Sequence, residues 1–168
     1  MIEPTMLLRL LLASALASIL GGQSAGAAAA PASEPAVCNT LVVAPPPYSG
    51  WSRAATAASA AGADVTIPIG QRIEVKLAVV PGTTPAPHYG ATLKLRVPAA
   101  GVYHLALGSK AWVDVLAQGV ALKPEAFGQG PDCTGIRKFV AFHLAAGDVT
   151  IRIGDSATPT IQLLVAPV

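Results

Sequence analysis

The sequence predicts an all-β fold, an antiparallel β-sandwich of about nine short strands with one disulfide. Three observations favour this class. Apolar and charged residues alternate along segments such as 72–77 and 92–97, and a period of two is typical of half-buried strands. Turns rich in glycine and proline separate these segments at short intervals, and no amphipathic helix intervenes. Such spacing indicates a sandwich or a barrel, and a jelly roll is the alternative to the sandwich.

The strands are predicted where this alternation or a short apolar run lies between turn residues. The turns include 98–101, 118–119, 146–148 and 154–159. The segments among which about nine strands are expected are, in chain order, 41–43, 65–67, 72–77, 92–97, 102–107, 111–116, 120–122, 136–144, 149–153 and 160–165. Segment 54–63 is rich in alanine, but it has no apolar stripe that could hold a helix against a core. We therefore predict a loop there, with at most one helical turn.

The first residues predict export. Arg9 precedes an uncharged apolar stretch, 10–20, which leads to small residues ending at Ala27. This is the layout of a cleavable signal peptide, and the stretch is shorter than the ~20 residues of a membrane-spanning helix. We expect a periplasmic or secreted protein with no membrane span after signal cleavage. The predicted organisation is a signal peptide over 1–27, a flexible lead-in over 28–40 and a single sandwich domain over 41–168.

The chain contains two cysteines, Cys38 and Cys133. In an oxidising compartment we expect them to form a disulfide, and the alternative is a pair of buried thiols. The bridge would close a loop across a separation of 95 residues, which the chain-entropy model values at about 4–5 kcal/mol. Neither cysteine belongs to a Cys-x-x-Cys pair, so a thioredoxin-like redox role has no support.

The most distinctive segment is 128–138, GQGPDCTGIRK. Its glycines, including Gly130, allow a close approach of the backbone to other groups. Arg137 and Lys138 are consecutive in a predicted strand, so their side chains should point to opposite faces. One cation could face an anionic ligand beside the loop, while the other must be paired or reach out of the sheet. The alternative is a loop tied down by the disulfide, with both cations at its rim.

Aromatic residues in predicted loops supply the rest of the candidate ligand surface. Trp51 follows a proline-rich stretch, and His88 and Tyr89 lie in a second one. Loop aromatics can stack on sugars or anchor a peptide, although Trp51 could instead cap its own sandwich. The candidate surface consists of Trp51, His88, Tyr89, Gly130, Arg137 and Lys138.

The run PDCTGIRKFVAFHL, followed by AGDVTIRI, resembles a family of small secreted bacterial proteins. They share a signal peptide, an early cysteine, a Gly-Trp element, a pair of strands of the pattern YxLxL and WVDV, and a terminal CxGIRK block. The matching positions here are Cys38, 50–51, 103–107, 112–115 and 133–138. Such proteins sometimes carry the label homogentisate 1,2-dioxygenase. The strand order also resembles that of pre-peptidase C-terminal domains, which implies the fold alone.

The dioxygenase label implies Fe(II) held by two histidines and a carboxylate. The chain has His88, His104 and His143, with no His-x-Asp/Glu spacing. The carboxylates considered for such a site are Glu74, Asp114 and Glu125. We expect no metal site and no cofactor, since these residues share no ligand motif. Because the sequence also lacks a G-x-S-x-G elbow, a serine hydrolase of that type is not indicated.

The leading hypothesis is a non-catalytic binding or interaction module for an unknown envelope ligand or protein. The net charge is only +2, so there is no electrostatic case for a nucleic-acid partner. The alternatives are an Fe(II)-dependent dioxygenase-like enzyme and a structural envelope protein.

Overall fold

The polypeptide folds as a β-sandwich, and its computed structural model describes residues 37–53, 55–59, 65–82 and 86–168. The predicted signal peptide and most of the predicted lead-in lie outside the described residues. These residues contain a short 3-10 helix, η1 (Ser49–Ser52), and eleven strands. The strands are β1 (Thr56–Ser59), β2 (Ile73–Lys76), β3 (Ala78–Val80), β4 (His88–Val97), β5 (Gly101–Leu107), β6 (Trp112–Ala117), β7 (Val120–Ala121), β8 (Ala126–Gly128), β9 (Lys138–Leu144), β10 (Gly147–Ser156) and β11 (Thr160–Pro167).

The strands form two sheets, as predicted for an antiparallel sandwich. The six-stranded sheet has the order β1-β2-β11-β5-β9-β8, and the five-stranded sheet has the order β3-β4-β10-β6-β7. Within the described part of the chain, neighbouring strands are antiparallel except for the parallel pair β1 and β2. No helix among these residues is long and apolar enough to span a membrane.

The main core lies between the two sheets and follows from the alternation in the sequence. In β4, Leu93, Leu95 and Val97 are buried, whereas Lys94 and Arg96 are exposed. Because successive strand side chains point to opposite faces, β4 directs its apolar side chains inward and its charges outward. The facing side chains from the six-stranded sheet include Val75, Leu105, Phe142 and Leu163.

A second cluster covers the outer face of the six-stranded sheet. Ala106 of β5, and Leu164 and Ala166 of β11, are out of phase with the core residues of their strands, and all three are fully buried. These central strands are therefore buried on both faces, as their continuous apolar runs indicate. The cover is the segment 37–53, called here the covering segment. With Ile136, its residues Ala44, Tyr48 and Trp51 complete the cluster.

The predicted disulfide between Cys38 and Cys133 is confirmed, and it joins the covering segment to the loop between β8 and β9. Beside it, the Val42 N–H donates to the Cys133 carbonyl over 2.8 Å. A Cβ added to Gly50 would lie 2.0 Å from the Gly70 carbonyl oxygen, so only glycine allows this approach. A disulfide of this kind is consistent with an oxidising compartment.

Two of the predicted strands are wrong. Residues 41–43 form no strand, and their side chains are exposed: this part of the covering segment runs beside the disulfide loop and has no strand to pair with. At 65–67 there is a single parallel bridge between Thr66 and Lys94 in place of a ladder, because the chain then leaves β4 and forms its next bridge, Ile69 with Val165, on the other sheet.

Three short strands were not predicted. Segment 54–63, expected to be a loop, contains β1, which pairs in parallel with β2. The strand β3 pairs with β4 at one edge of the five-stranded sheet, and β8 pairs with β9 at one edge of the six-stranded sheet. None of the three is longer than four residues, so neither an alternating pattern nor a sustained apolar run marks them.

Candidate functional site

The structure does not gather the six candidate residues into one surface. Trp51 is buried, at 2% exposure, in the cluster beneath the covering segment. The Arg72 guanidinium carbon lies 5.6 Å from the centroid of its ring, a cation–π distance. Trp51 is therefore excluded from any exposed ligand surface. It serves as a cap, as the alternative held, but it covers the outer face of the six-stranded sheet.

His88 and Tyr89 begin strand β4, so their placement in a loop was wrong. They pair with Val80 and Val79 of β3, and this edge pairing extends β4 beyond its alternating part. The His88 ring forms an ion-pair contact with the Asp155 carboxylate, while Tyr89 packs at the margin of the main core. Both belong to the five-stranded sheet, whereas Arg137 and Lys138 belong to the six-stranded side.

Arg137 lies just before β9 and Lys138 is the first residue of that strand, so the strand does not include both cations as predicted. Arg137 is exposed, and its backbone N–H donates to the Leu107 carbonyl over 2.7 Å. Lys138 is half-buried and occupies the row of β9 that continues into the core through Val140. Its Nζ donates to the Ala111 carbonyl over 2.8 Å. Lys138 therefore has a hydrogen-bond partner and lies at the opening between the sheets.

Burial lowers the pKa of Lys138 from its ordinary value, and the positive charge of Lys110 lowers it further. Desolvation penalises the charged form of an amine. An ammonium in this position therefore gains from any anion that approaches it, because the anion replaces lost hydration and offsets the repulsion by Lys110.

Two depressions meet at Lys138. The first, called here the basic groove, has a volume of about 440 Å³, and its lining includes Lys110, Phe127, Gln129, Arg137, Lys138 and Phe139. The second, called the apolar pocket, has a volume of about 290 Å³ and is lined by Trp112, Val113, Pro124, Phe127, Lys138 and Val140. Phe127 and Lys138 line both depressions, so the two are adjacent.

The basic groove combines positive charge with exposed apolar surface. Three cations, Lys110, Arg137 and Lys138, belong to its lining, and no carboxylate is found among the described residues that line either depression. Phe127 is 79% exposed and Trp112 is 65% exposed. Exposed aromatic side chains in one place are the informative exception to normal burial. The combination indicates a surface suited to an anion that also carries apolar groups.

Gly130 is required by packing rather than by the groove. A Cβ at this position would lie 2.3 Å from Ile136 Cγ2 and 2.5 Å from the Ile136 carbonyl oxygen. Gly130 lines a third depression of about 230 Å³ together with Cys133 and Arg137. This part of the surface is the loop tied down by the disulfide, with Arg137 at its rim.

Lys110 and Phe127 were not predicted to belong to the site. Lys110 follows Gly108 and Ser109 in the turn between β5 and β6, and Phe127 is the middle residue of edge strand β8. Neither lies in a motif. The only local signal is an aromatic residue in a stretch with no apolar alternation, 123–130, where burial in a core is not indicated.

The three histidines have different surroundings. Tyr48 Oη lies 2.6 Å from His104 Nδ1, within a hydrogen bond, and the His104 ring stacks on Phe139 at 4.6 Å between centroids. Burial lowers the pKa of His104 from its ordinary value and raises that of Tyr48, so burial favours the neutral form of both partners in this hydrogen bond. His143 is exposed on β9. Over the described ranges no group of three or more His, Cys, Asp or Glu side chains could hold a metal ion.

No protein-family model matches the chain, and no curated protein matches it significantly.

Proposed function

We propose that the protein is a small non-catalytic binding module, periplasmic or secreted, that holds an anionic ligand in the basic groove. The observation that carries the proposal is the arrangement of Lys110, Arg137 and Lys138 around one groove without a lining carboxylate. Like charges repel, so this arrangement costs stability unless an anion is bound.

The two consecutive cations offer complementary donors. An ammonium has three N–H donors, and the bond to the Ala111 carbonyl takes one of those of Lys138. The exposed Arg137 guanidinium has a planar fork of donors that suits a carboxylate or a phosphate. The backbone bond from Arg137 to Leu107 holds the start of β9 in place, so the fork extends from a fixed position.

The export expectation and the disulfide support the proposed location. The sequence predicts a signal peptide over 1–27, and the Cys38–Cys133 bridge agrees with an oxidising compartment. The dioxygenase alternative is not proposed, because no observation on the described residues favours it.

The experiment is a titration of the ¹⁵N-labelled mature protein with acetate and with inorganic phosphate, followed through backbone amide shifts. We expect shifts confined to residues 107–111 and 127–139. The variant Arg137→Ala should weaken binding about five- to tenfold, the loss of a charge-assisted hydrogen bond at an exposed site. The matched control is Arg152→Ala, which removes an exposed arginine from β10 of the other sheet.

Equal weakening in both variants, or shifts spread over the whole surface, would mean non-specific screening and would contradict the proposal. Absence of any site-specific shift with either anion would leave the structural envelope protein as the better interpretation. Melting temperatures of both variants are measured in parallel, since loss of stability in Arg137→Ala alone would favour a purely structural loop.

A further inference from the structure

We infer that the ligand is an amphiphilic anion, with one anionic head group in the basic groove and a short apolar chain in the apolar pocket. The inference rests on the proposed function and adds the chemical class of the ligand. Its basis is that a cationic residue, Lys138, and an exposed aromatic residue, Phe127, line both depressions.

The apolar pocket is a continuation of the core. Val113 and Val140 belong to the main core between the sheets, yet they also line this pocket. The pocket therefore opens at the gap between the two sheets, with β6 on one side and β8 and β9 on the other. Apart from the Lys138 ammonium, the side chains that line it are apolar. Binding of an apolar group that displaces water from the pocket is therefore favourable.

Phe127 and Trp112 are the outer walls of this pocket. Both are largely exposed, and the Trp112 indole Nε1 donates to Asp114 Oδ1 over 3.0 Å at the edge of the ring. A chain inserted between them would cover the exposed faces of both rings. These faces are apolar surface that the fold leaves in contact with water, which is the usual mark of a binding surface.

The charge and the size of the site select the occupant. Lys110 and Arg137 belong to the groove side and are absent from the pocket lining, so the head group and the chain have separate places on either side of Phe127. Volumes of about 440 and 290 Å³ are on the scale of small-molecule sites, which run from roughly 300 to 1,000 Å³. A short alkyl carboxylate has the required shape.

The test is a series of probes at fixed ionic strength: acetate, butanoate, hexanoate and octanoate, each below its micelle concentration. Binding is measured by amide shifts and calorimetry on the disulfide-intact mature protein. We expect affinity to rise about two- to fourfold for each added methylene, the upper limit being full burial of the group. Octyltrimethylammonium, which pairs the same chain with a cationic head, should bind at least tenfold more weakly than octanoate.

Three variants test whether the alkyl chain of the probe lies in the apolar pocket. Phe127→Ala should reduce the gain in affinity per methylene, and Phe127→Leu should restore part of it. The control is Val120→Ala, which truncates another largely exposed apolar side chain, on β7, and should keep the full gain. Because Phe127 is exposed, both substitutions should leave the melting temperature nearly unchanged.

Each outcome separates the two proposals. If acetate binds at the groove but affinity is flat along the series, this inference is overturned and the proposed function stands. If no anion binds at the groove, both are overturned. Equal binding of octanoate and octyltrimethylammonium would show an apolar surface without charge selection, which overturns the amphiphilic anion.

Discussion

Replacement of Trp51 by alanine tests whether the covering segment is part of the folded core. Trp51 is 2% exposed and packs against Ala106 and Leu164 on the outer face of the six-stranded sheet. Truncation of a buried aromatic residue costs about 3–5 kcal/mol, and the cation–π contact with Arg72 adds about 0.5–1 kcal/mol. Because the covering segment can partly collapse onto the cavity, we expect a loss of about 3 kcal/mol.

The chain has its own matched control, since it contains only one other tryptophan, Trp112. Trp112 is 65% exposed, so Trp112→Ala should change stability by less than about 1 kcal/mol. The assay is urea unfolding of the oxidised protein, followed by far-UV circular dichroism. With a slope of ~2 kcal/mol per molar urea, Trp51→Ala should lower the midpoint by about 1.5 M.

Tryptophan emission supplies an independent reading. In Trp112→Phe the remaining emission comes from Trp51 and should be blue-shifted and protected from iodide, whereas in Trp51→Phe it comes from Trp112 and should be quenched readily. The reasoning is refuted if Trp51→Ala lowers the midpoint no more than Trp112→Ala does, or if both tryptophans are quenched equally.

Three further predictions follow from the same packing. Replacement of both cysteines by serine should cost about 4 kcal/mol of unfolding free energy, read from urea unfolding; a loss below 1 kcal/mol would contradict it. The His104 contribution to stability should be lost as the pH drops below 6.5, because burial lowers the pKa of that imidazole, and the Tyr48 contribution should be lost as the pH rises above 10.0, because burial raises the pKa of that phenol. The lowered pKa of Lys138 acts in the opposite direction at alkaline pH, so the Tyr48 contribution is read as the difference between the unfolding curves of the parent protein and of Tyr48→Phe across pH. Gly50→Ala should lower the free energy of unfolding by about 1–3 kcal/mol, because the added Cβ would overlap the Gly70 carbonyl. Gly154→Ala is the control: the space around its Cβ is open, so its melting temperature should be nearly unchanged.

The alternating strands could be predicted because their signal is local. In β4 and β10 buried apolar residues alternate with more exposed ones, as at Leu93 and Lys94 or at Ile151 and Arg152, so the period of two is visible in the sequence itself. The edge strands β1, β3 and β8 could not be predicted in this way. They exist because a neighbouring strand offers unpaired backbone groups, and that condition depends on which segments the fold brings side by side.

The sequence indicates that the six-stranded sheet is covered on its outer face, although the alternating strands do not show this. Segments 105–107 and 163–166 are continuously apolar, which is typical of strands covered on both faces. One face belongs to the main core, so the other required a cover. The sequence does not say which segment supplies it, since the Pro/Gly-rich residues before Trp51 have no periodic pattern, and the predicted disulfide is the one sequence feature that links that segment to the later part of the chain.

For the candidate site, the sequence predicted Arg137 and Lys138 as candidate cations, but their neighbours could not be predicted. The groove needs Lys110 from the turn before β6 and Phe127 from edge strand β8, which are adjacent to β9 only through strand pairing and the approach of the two sheets. The predicted loops of His88 and Tyr89 were misplaced for the same reason: pairing with β3 converts them into strand.

The loop between β8 and β9 links stability to the proposed binding. Cys133 fixes its middle to the covering segment, and the bond from the Arg137 N–H to the Leu107 carbonyl fixes its end to β5. A change anywhere in this loop can therefore alter both unfolding and the groove. Arg137→Ala avoids the ambiguity, because it removes an exposed guanidinium while leaving that backbone bond intact. A loss of binding at unchanged stability in this variant is a property of the side chain alone.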